Sequence, residues 1–292
     1  MTITLITPGI RELGPVVDAL RDWQFEGAEM QLHPGDLGWF WRFGETETAD
    51  AVRIWTRDGD IVAIGMLDGA DVLRMTVAPA AMRDDELSAR VARDLIDPAS
   101  GVLPAGQASV EVPNGARLDE VLAAEGWADG ERWTPLHRDL SEPVTSASPV
   151  PQVRIELVGP ETAELRAELQ RASFDRSTFS VERWRAMASG IPYSDARCLI
   201  AYDDDDVPVA SATVWSAGAG KPGLLEPLGV HRDHRGRGYG TAICLAAAST
   251  LRELGSSSAT VCTRSANRRA VATYRSAGFT AWAERLDRVR SA

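Results

Sequence analysis

The residues best placed to do chemistry are Val230-His231-Arg232-Asp233-His234-Arg235-Gly236-Arg237-Gly238-Tyr239-Gly240-Thr241. A strand-like run ends at Val230, glycines follow at alternate positions, and a long helical pattern begins at once. Glycine lets backbone N–H groups turn toward an anion that a Cβ would hold off. The start of a helix adds unpaired donors and the positive end of its dipole. Arg235 and Arg237 supply cationic side chains at the rim. This combination suits a phosphate or diphosphate. A Walker A loop is excluded, because no Gly-Lys-Ser/Thr ending is present. The dinucleotide fingerprint fails as well, with Thr241 where its third glycine belongs. A glycine-rich helix start without a ligand stays open at this point.

Two spacings go further. Arg235, Gly238 and Gly240 satisfy Arg/Gln-x-x-Gly-x-Gly/Ala, and Asn267 to Phe279 satisfies Asn-x-x-Ala-x-x-x-Tyr-x-x-x-Gly-Phe. With both motifs in this order, residues 153–290 resemble the GNAT acetyltransferases, the first motif being that family's coenzyme-A signature. In the second, Asn267 reads as a helix cap, and Ala270 and Tyr274 share a helix face. Gly278 ends the helix and Phe279 enters the core.

The resemblance implies an acyltransferase that moves an acetyl group from acetyl-CoA to a primary amine of a small molecule, by direct attack on the thioester. It implies an α/β fold in which the strand Leu224–Val230 parts from Ala259–Thr263 to hold the coenzyme. Leu228, Gly229 and Val230 would pair with the pantetheine arm like an added strand. Arg235, Gly236, Arg237, Gly238, Tyr239, Gly240 and Thr241 would take the diphosphate, and Asn267 would meet the pantetheine. An alkylammonium, with a reference pKa of about 10.4, must lose a proton before it can attack. Glu226, on the strand beside the cleft, is the candidate base, and a solvated strand-end carboxylate is its alternative. Tyr274 matches the family's general-acid position, and a ring packed on the sheet is its alternative. Trp184, Tyr193 and Trp215 read either as core or as walls of the acceptor pocket. A non-catalytic acyl-CoA-binding regulatory protein is the competing function; a candidate acid and base both being present favours the enzyme. A nucleotide-binding protein is disfavoured by the missing lysine and Mg²⁺ ligands.

These residues must be positioned by elements that the pattern also predicts. The second half reads as a strand at Val153–Val158, helices at 161–172 and 181–187, and a hairpin of Arg197–Tyr202 with Val207–Trp215. The strand before the loop, the helix Tyr239–Leu254, the strand 259–263, the helix 267–276 and a last strand from Phe279 follow. Ser141 to Pro151, with three prolines and small polar residues, reads as an extended linker. The expected organisation is a domain at 1–141, a linker at 142–152 and a coenzyme-binding catalytic domain at 153–292. Both domains are expected to be mixed, mostly antiparallel sheets flanked by helices.

The first half repeats the outline as a degenerate copy. Ala51–Thr56 and Ile61–Leu67 form a hairpin, and Val72–Val77 matches the strand before the loop. Ala78–Asp85 then has no glycine and carries two aspartates where a diphosphate would sit. Leu118–Trp127 matches the second motif's helix, with Leu122 in place of Tyr274. One coenzyme site per chain is expected.

Composition bounds the remainder. The 292 residues are 44% hydrophobic and 25% charged, with a formal net charge of −11, which disfavours a nucleic-acid partner. Cys198, Cys244 and Cys262 sit in apolar segments and read as reduced thiols, and the four histidines are too scattered for a metal site. No stretch suits a membrane span or signal peptide, so a cytoplasmic monomer or homodimer is expected.

Overall fold

The computed structural model describes residues 2–28, 31–146 and 149–291. The first half contains β1 (Ile3–Ile6), α1 (Leu13–Asp22), α2 (Pro34–Phe40), α3 (Glu45–Ala51), β2 (Val52–Arg57), β3 (Asp60–Leu67) and β4 (Val72–Val77). It continues with α4 (Asp85–Ile96), β5 (Ala108–Glu111), α5 (Arg117–Ala124) and β6 (Ala128–Asp139). The second contains β7 (Arg154–Leu157), α6 (Ala163–Ser173), α7 (Val181–Ala188), β8 (Ala196–Tyr202), β9 (Pro208–Trp215), β10 (Gly223–Val230) and α8 (Tyr239–Glu253). It ends with β11 (Ser258–Arg264), α9 (Arg268–Ser276), β12 (Thr280–Ala281) and β13 (Arg285–Arg290). Of the expected linker, Ala147 and Ser148 lie outside the described residues.

The strands form one mixed, mostly antiparallel sheet in the order β1-β2-β3-β4-β5-β13-β6-β11-β10-β9-β8-β7, with β12 also on β6. The parallel pairs are β4 with β5 and β10 with β11. Separate apolar cores form in the two halves, one around Trp55, Leu73, Val91 and Leu122 and one around Val214, Ile243, Ala247 and Phe279. In the helices α4 and α9 apolar side chains recur on one face and charged ones cover the other, as an amphipathic helix on a sheet requires.

The halves exchange their last strands. The end of β6 leaves the first half to pair with β11, from Trp133↔Arg264 to Asp139↔Ser258, with β12 on its other side. In return β13 pairs with β5 through Val289↔Ser109 and with the start of β6 through Val289↔Ala128. The strand expected from Phe279 thus splits in two: β12 stays beside its own half and β13 crosses over. Backbone N–H and C=O groups left open at each sheet edge are satisfied by the other half's strand.

The repeat is visible in backbone detail. After α9, Gly278 is left-handed at φ 79° and the Phe279 N–H donates to Tyr274 at 3.0 Å. After α5, Gly126 has φ 86° and the Trp127 N–H donates to Leu122, also at 3.0 Å. Both are the same glycine-terminated helix end.

Candidate active site

The loop after β10 is shaped by its glycines and tied down by its arginines. Gly236 and Gly238 are left-handed at φ 78° and 88°, a region in which a side chain is strained. The Thr241 and Ala242 N–H groups close on the Gly238 carbonyl, and the N–H groups at the very start of α8 have no intrahelical partner. The Arg235 guanidinium is not a free cation at the rim. Its Nη2 donates to the Ser173 carbonyl at 2.6 Å and its Nε to Val230 at 3.4 Å. Arg232 donates to the carbonyls of Ala172 and Arg171, each at 2.9 Å. Both arginines cap the carbonyl end of α6, where positive charge is favoured, and so fix the loop against it. Arg237 stays exposed.

Close approaches explain the other glycines. A Cβ at Gly229 would lie 2.6 Å from the Ser173 Cβ, and one at Gly240 3.0 Å from Thr273 Cγ2. At Gly238 it would meet the Pro151 ring at 2.8 Å, so the linker passes against the loop. Asn267 caps α9 by accepting from the Ala270 N–H at 3.3 Å, and it remains exposed.

Strands β10 and β11 pair only at Gly223↔Ala259 and Leu224↔Thr260. Beyond that fork, Leu228, Gly229 and Val230 pair with β9 on one side only, after a bulge between Leu225 and Leu228. Their edge toward β11 is available to an extended ligand.

Glu226 lies in this bulge, at a cavity of about 50 Å³ lined from both halves. The second half contributes Leu224, Glu226, Thr260 and Cys262; the first contributes Gln31, His33, Asp36 and Arg74. Burial lifts the Glu226 carboxyl to about 7; Arg74 opposes the rise, while Asp36, Asp68 and Glu111 add to it. Arg74 is held by Asp36 and Glu111, each at 2.9 Å, and these carboxylates keep its guanidinium charged despite burial. His33 is neutral, its pKa lowered by burial to about 4. Its Nδ1 accepts from the Gly35 N–H at 2.9 Å, so its Nε2–H is the group that meets the Pro222 carbonyl at 3.2 Å.

Tyr274 is 7% exposed, and burial raises its pKa, with Cys244, Glu226 and Cys262 adding to the rise. The Cys262 thiol is also pushed up, chiefly by burial, so it stays protonated. Trp215 is 1% exposed, and beyond filling the core it donates through Nε1 to the Glu226 carbonyl at 2.7 Å. Helix α2 of the first half lies directly on its ring: a Cβ at Gly35 would be 2.5 Å from it and one at Gly38 2.3 Å. Trp184 and Tyr193 belong to the same core, their rings edge to face.

The contributions of Gln31, His33, Asp36 and Arg74 were not legible as site features. The signals present were an arginine in the middle of the apolar strand Val72–Val77 and the His33-Pro34-Gly35-Asp36 helix start, where Asp36 accepts from the His33 N–H at 2.6 Å.

The corresponding place in the first half is closed. Asp84 caps α4 itself, accepting from the Leu87 N–H at 2.9 Å, and pairs with Arg57 at 2.5 Å. Asp85 pairs with Arg117 at 2.7 Å, and Glu120 with Arg83 at 2.6 Å. A helix end capped by its own carboxylate has neither the spare donor nor the charge for a phosphate.

No helix among the described residues is long and apolar enough to cross a membrane. Residues 161–279 match the acetyltransferase (GNAT) family model. No protein of curated function matches the chain. Several solved structures share its fold over nearly the whole length. A GCN5-related N-acetyltransferase from Sphaerobacter thermophilus aligns with TM-score 0.60 at 18% identity, covering 99% of this chain and 95% of that one. A tandem GNAT protein from the clavulanic acid biosynthesis pathway aligns with TM-score 0.64 at 16% identity, covering 99% and 98%. Saccharomyces cerevisiae N-myristoyltransferase with bound myristoyl-CoA aligns with TM-score 0.60 at 9% identity, covering 98% and 78%. Residues 161–279 are therefore a GNAT domain, in a chain with the tandem fold of that family, and the protein is an acyltransferase.

Proposed function

We propose that the protein transfers an acetyl group from acetyl-CoA to a primary amine, with one active site per chain and Glu226 as its base. The observation that carries this reading is the placement of Glu226, with its pKa raised to about 7, where β10 parts from β11. A carboxyl tuned to that value is half-ionised at neutral pH, the condition under which a base works best. The coenzyme's diphosphate takes the N–H groups from Gly236 to Gly240, with the Thr241 side chain and Arg237 beside them and Arg235 fixing the loop. Its pantetheine arm lies along Leu228, Gly229 and Val230, near Asn267.

Glu226 accepts a proton from the ammonium, and the freed lone pair attacks the thioester carbonyl. The C–N bond forms, the C–S bond breaks, and the departing thiolate takes the proton of the Tyr274 hydroxyl. The second proton of the nitrogen, released once the C–N bond has formed, passes to Tyr274 as its own leaves for sulfur, so that no tyrosinate, which burial makes costly here, is left behind. Residues 1–141 support the acceptor side and bind no second coenzyme, in keeping with the self-capped start of α4.

Calorimetry with acetyl-CoA and CoA tests the coenzyme assignment, and CoA release across a panel of amines tests the transfer. Binding of acetyl-CoA at one site per chain and amine-dependent CoA release are the expected results; absence of CoA binding refutes the reading.

A further inference from the structure

We infer that the acceptor is a primary amine with no carboxylate on the carbon that bears it, and that the first half of the chain enforces this selection. The inference rests on the acetyl-transfer reading above and assigns the substrate class of the same site.

The walls of the cavity at Glu226 are rich in acceptors. From the first half, Gln31 Nε2 is spent on the Trp23 carbonyl and on Gln24 Oε1, both at 3.1 Å. Gln24 Nε2 is spent on Leu20 and Leu32, at 3.0 and 3.1 Å. The single N–H of neutral His33 is held by Pro222 at 3.2 Å. Arg74 brings a positive charge, but Asp36 and Glu111, both at 2.9 Å, outnumber it before Glu226 is counted.

An incoming ammonium finds the Glu226 carboxylate, the Gln31 carbonyl and a negative balance. A carboxylate on the neighbouring carbon would be desolvated beside these carboxylates, where Arg74, the one arginine among the described lining residues, is already held by two of them, and burying a charge without a partner is costly. The cavity of about 50 Å³ has space for the amine end of such a substrate.

The test uses pairs of amines that differ by one carboxylate: agmatine against arginine, and tyramine against tyrosine, each with a single reactive primary amine. With the full chain and acetyl-CoA, kcat/KM for agmatine and tyramine is expected to exceed that for the parent amino acid by at least about tenfold. Gln31→Arg, which adds a cation to the wall, should shrink that preference by about tenfold while CoA titration is unchanged. For a pair that is not turned over, saturation-transfer NMR on the CoA-loaded protein reads the same ranking from binding. Equal or better use of the amino acids, or binding of neither member of either pair, overturns the inference while coenzyme binding leaves the acetyl-transfer reading standing. Failure to bind CoA overturns both.

Discussion

The indole Nε1 of Trp215 donates to the backbone carbonyl of Glu226 at 2.7 Å, and the same ring is the floor on which α2 of the first half rests through Gly35 and Gly38. The half that lacks the glycine loop thus touches the residue that fixes the proposed base. A buried carbonyl left without a donor costs about 1–3 kcal/mol, so this contact has a definite energetic stake.

Replacing Gly38 tests that connection. Gly38→Ala places a methyl 2.3 Å from the Trp215 ring, and overpacking of this kind costs about 1–3 kcal/mol. Both the urea midpoint and kcat are expected to fall, although Gly38 is not among the residues lining the cavity. A normal kcat would show that Trp215 does not transmit the packing of α2 to Glu226.

The proposed base sets the pH dependence. The Glu226 pKa is raised to about 7, so the protonated form prevails below that value and the carboxylate above it. Base function is therefore present above pH 7 and lost as pH falls through it, and kcat/KM should rise with a midpoint near 7. Glu226→Gln should lower kcat/KM by about 10²–10⁴-fold and flatten this limb of the profile. A variant that keeps the limb removes Glu226 from the role.

Tyr274→Phe keeps the ring in the core and deletes only the hydroxyl. Turnover is expected to drop about 10²-fold, at the low end of general-acid effects because burial disfavours the tyrosinate. Coenzyme affinity by calorimetry should change little. Unchanged turnover would leave Tyr274 as a packing residue.

Gly238→Glu acts on the loop in three ways. It strains a position at φ 88°, meets Pro151 at 2.8 Å and sets a carboxylate where the diphosphate is proposed to lie. Acetyl-CoA affinity is expected to fall by at least about 10²-fold, which is about 2.7 kcal/mol in a titration. Gly236→Ala should do less, because no atom stands within 4 Å of a Cβ there and only the backbone strain remains.

What the sequence displayed were features written locally. Glycine spacing after β10, the Asn267 cap and the Gly278 helix end depend on residues a few positions apart, and each lies in the element expected of it. The hairpin of β8 and β9 was equally legible, bracketing its turn between apolar runs. The acceptor side was not. Asp36 meets Arg74 only because α2 and β4 converge in space, and taken alone each is an ordinary cap and an ordinary strand residue. The Arg235 side chain was assigned by its charge, whereas the open carbonyls at the end of α6 decide where it goes. Strand exchange left one trace, the length of β6: Ala128–Asp139 is about twice a usual strand, enough to serve two sheets.

That exchange has a consequence for inheritance. Ordinary tandem repeats can be shuffled, lost or fused elsewhere because each copy is complete. Here a gene cut at the linker would yield two products, each missing a strand that its sheet needs and carrying one that belongs to the other. The two halves can drift apart in sequence, but they cannot part company.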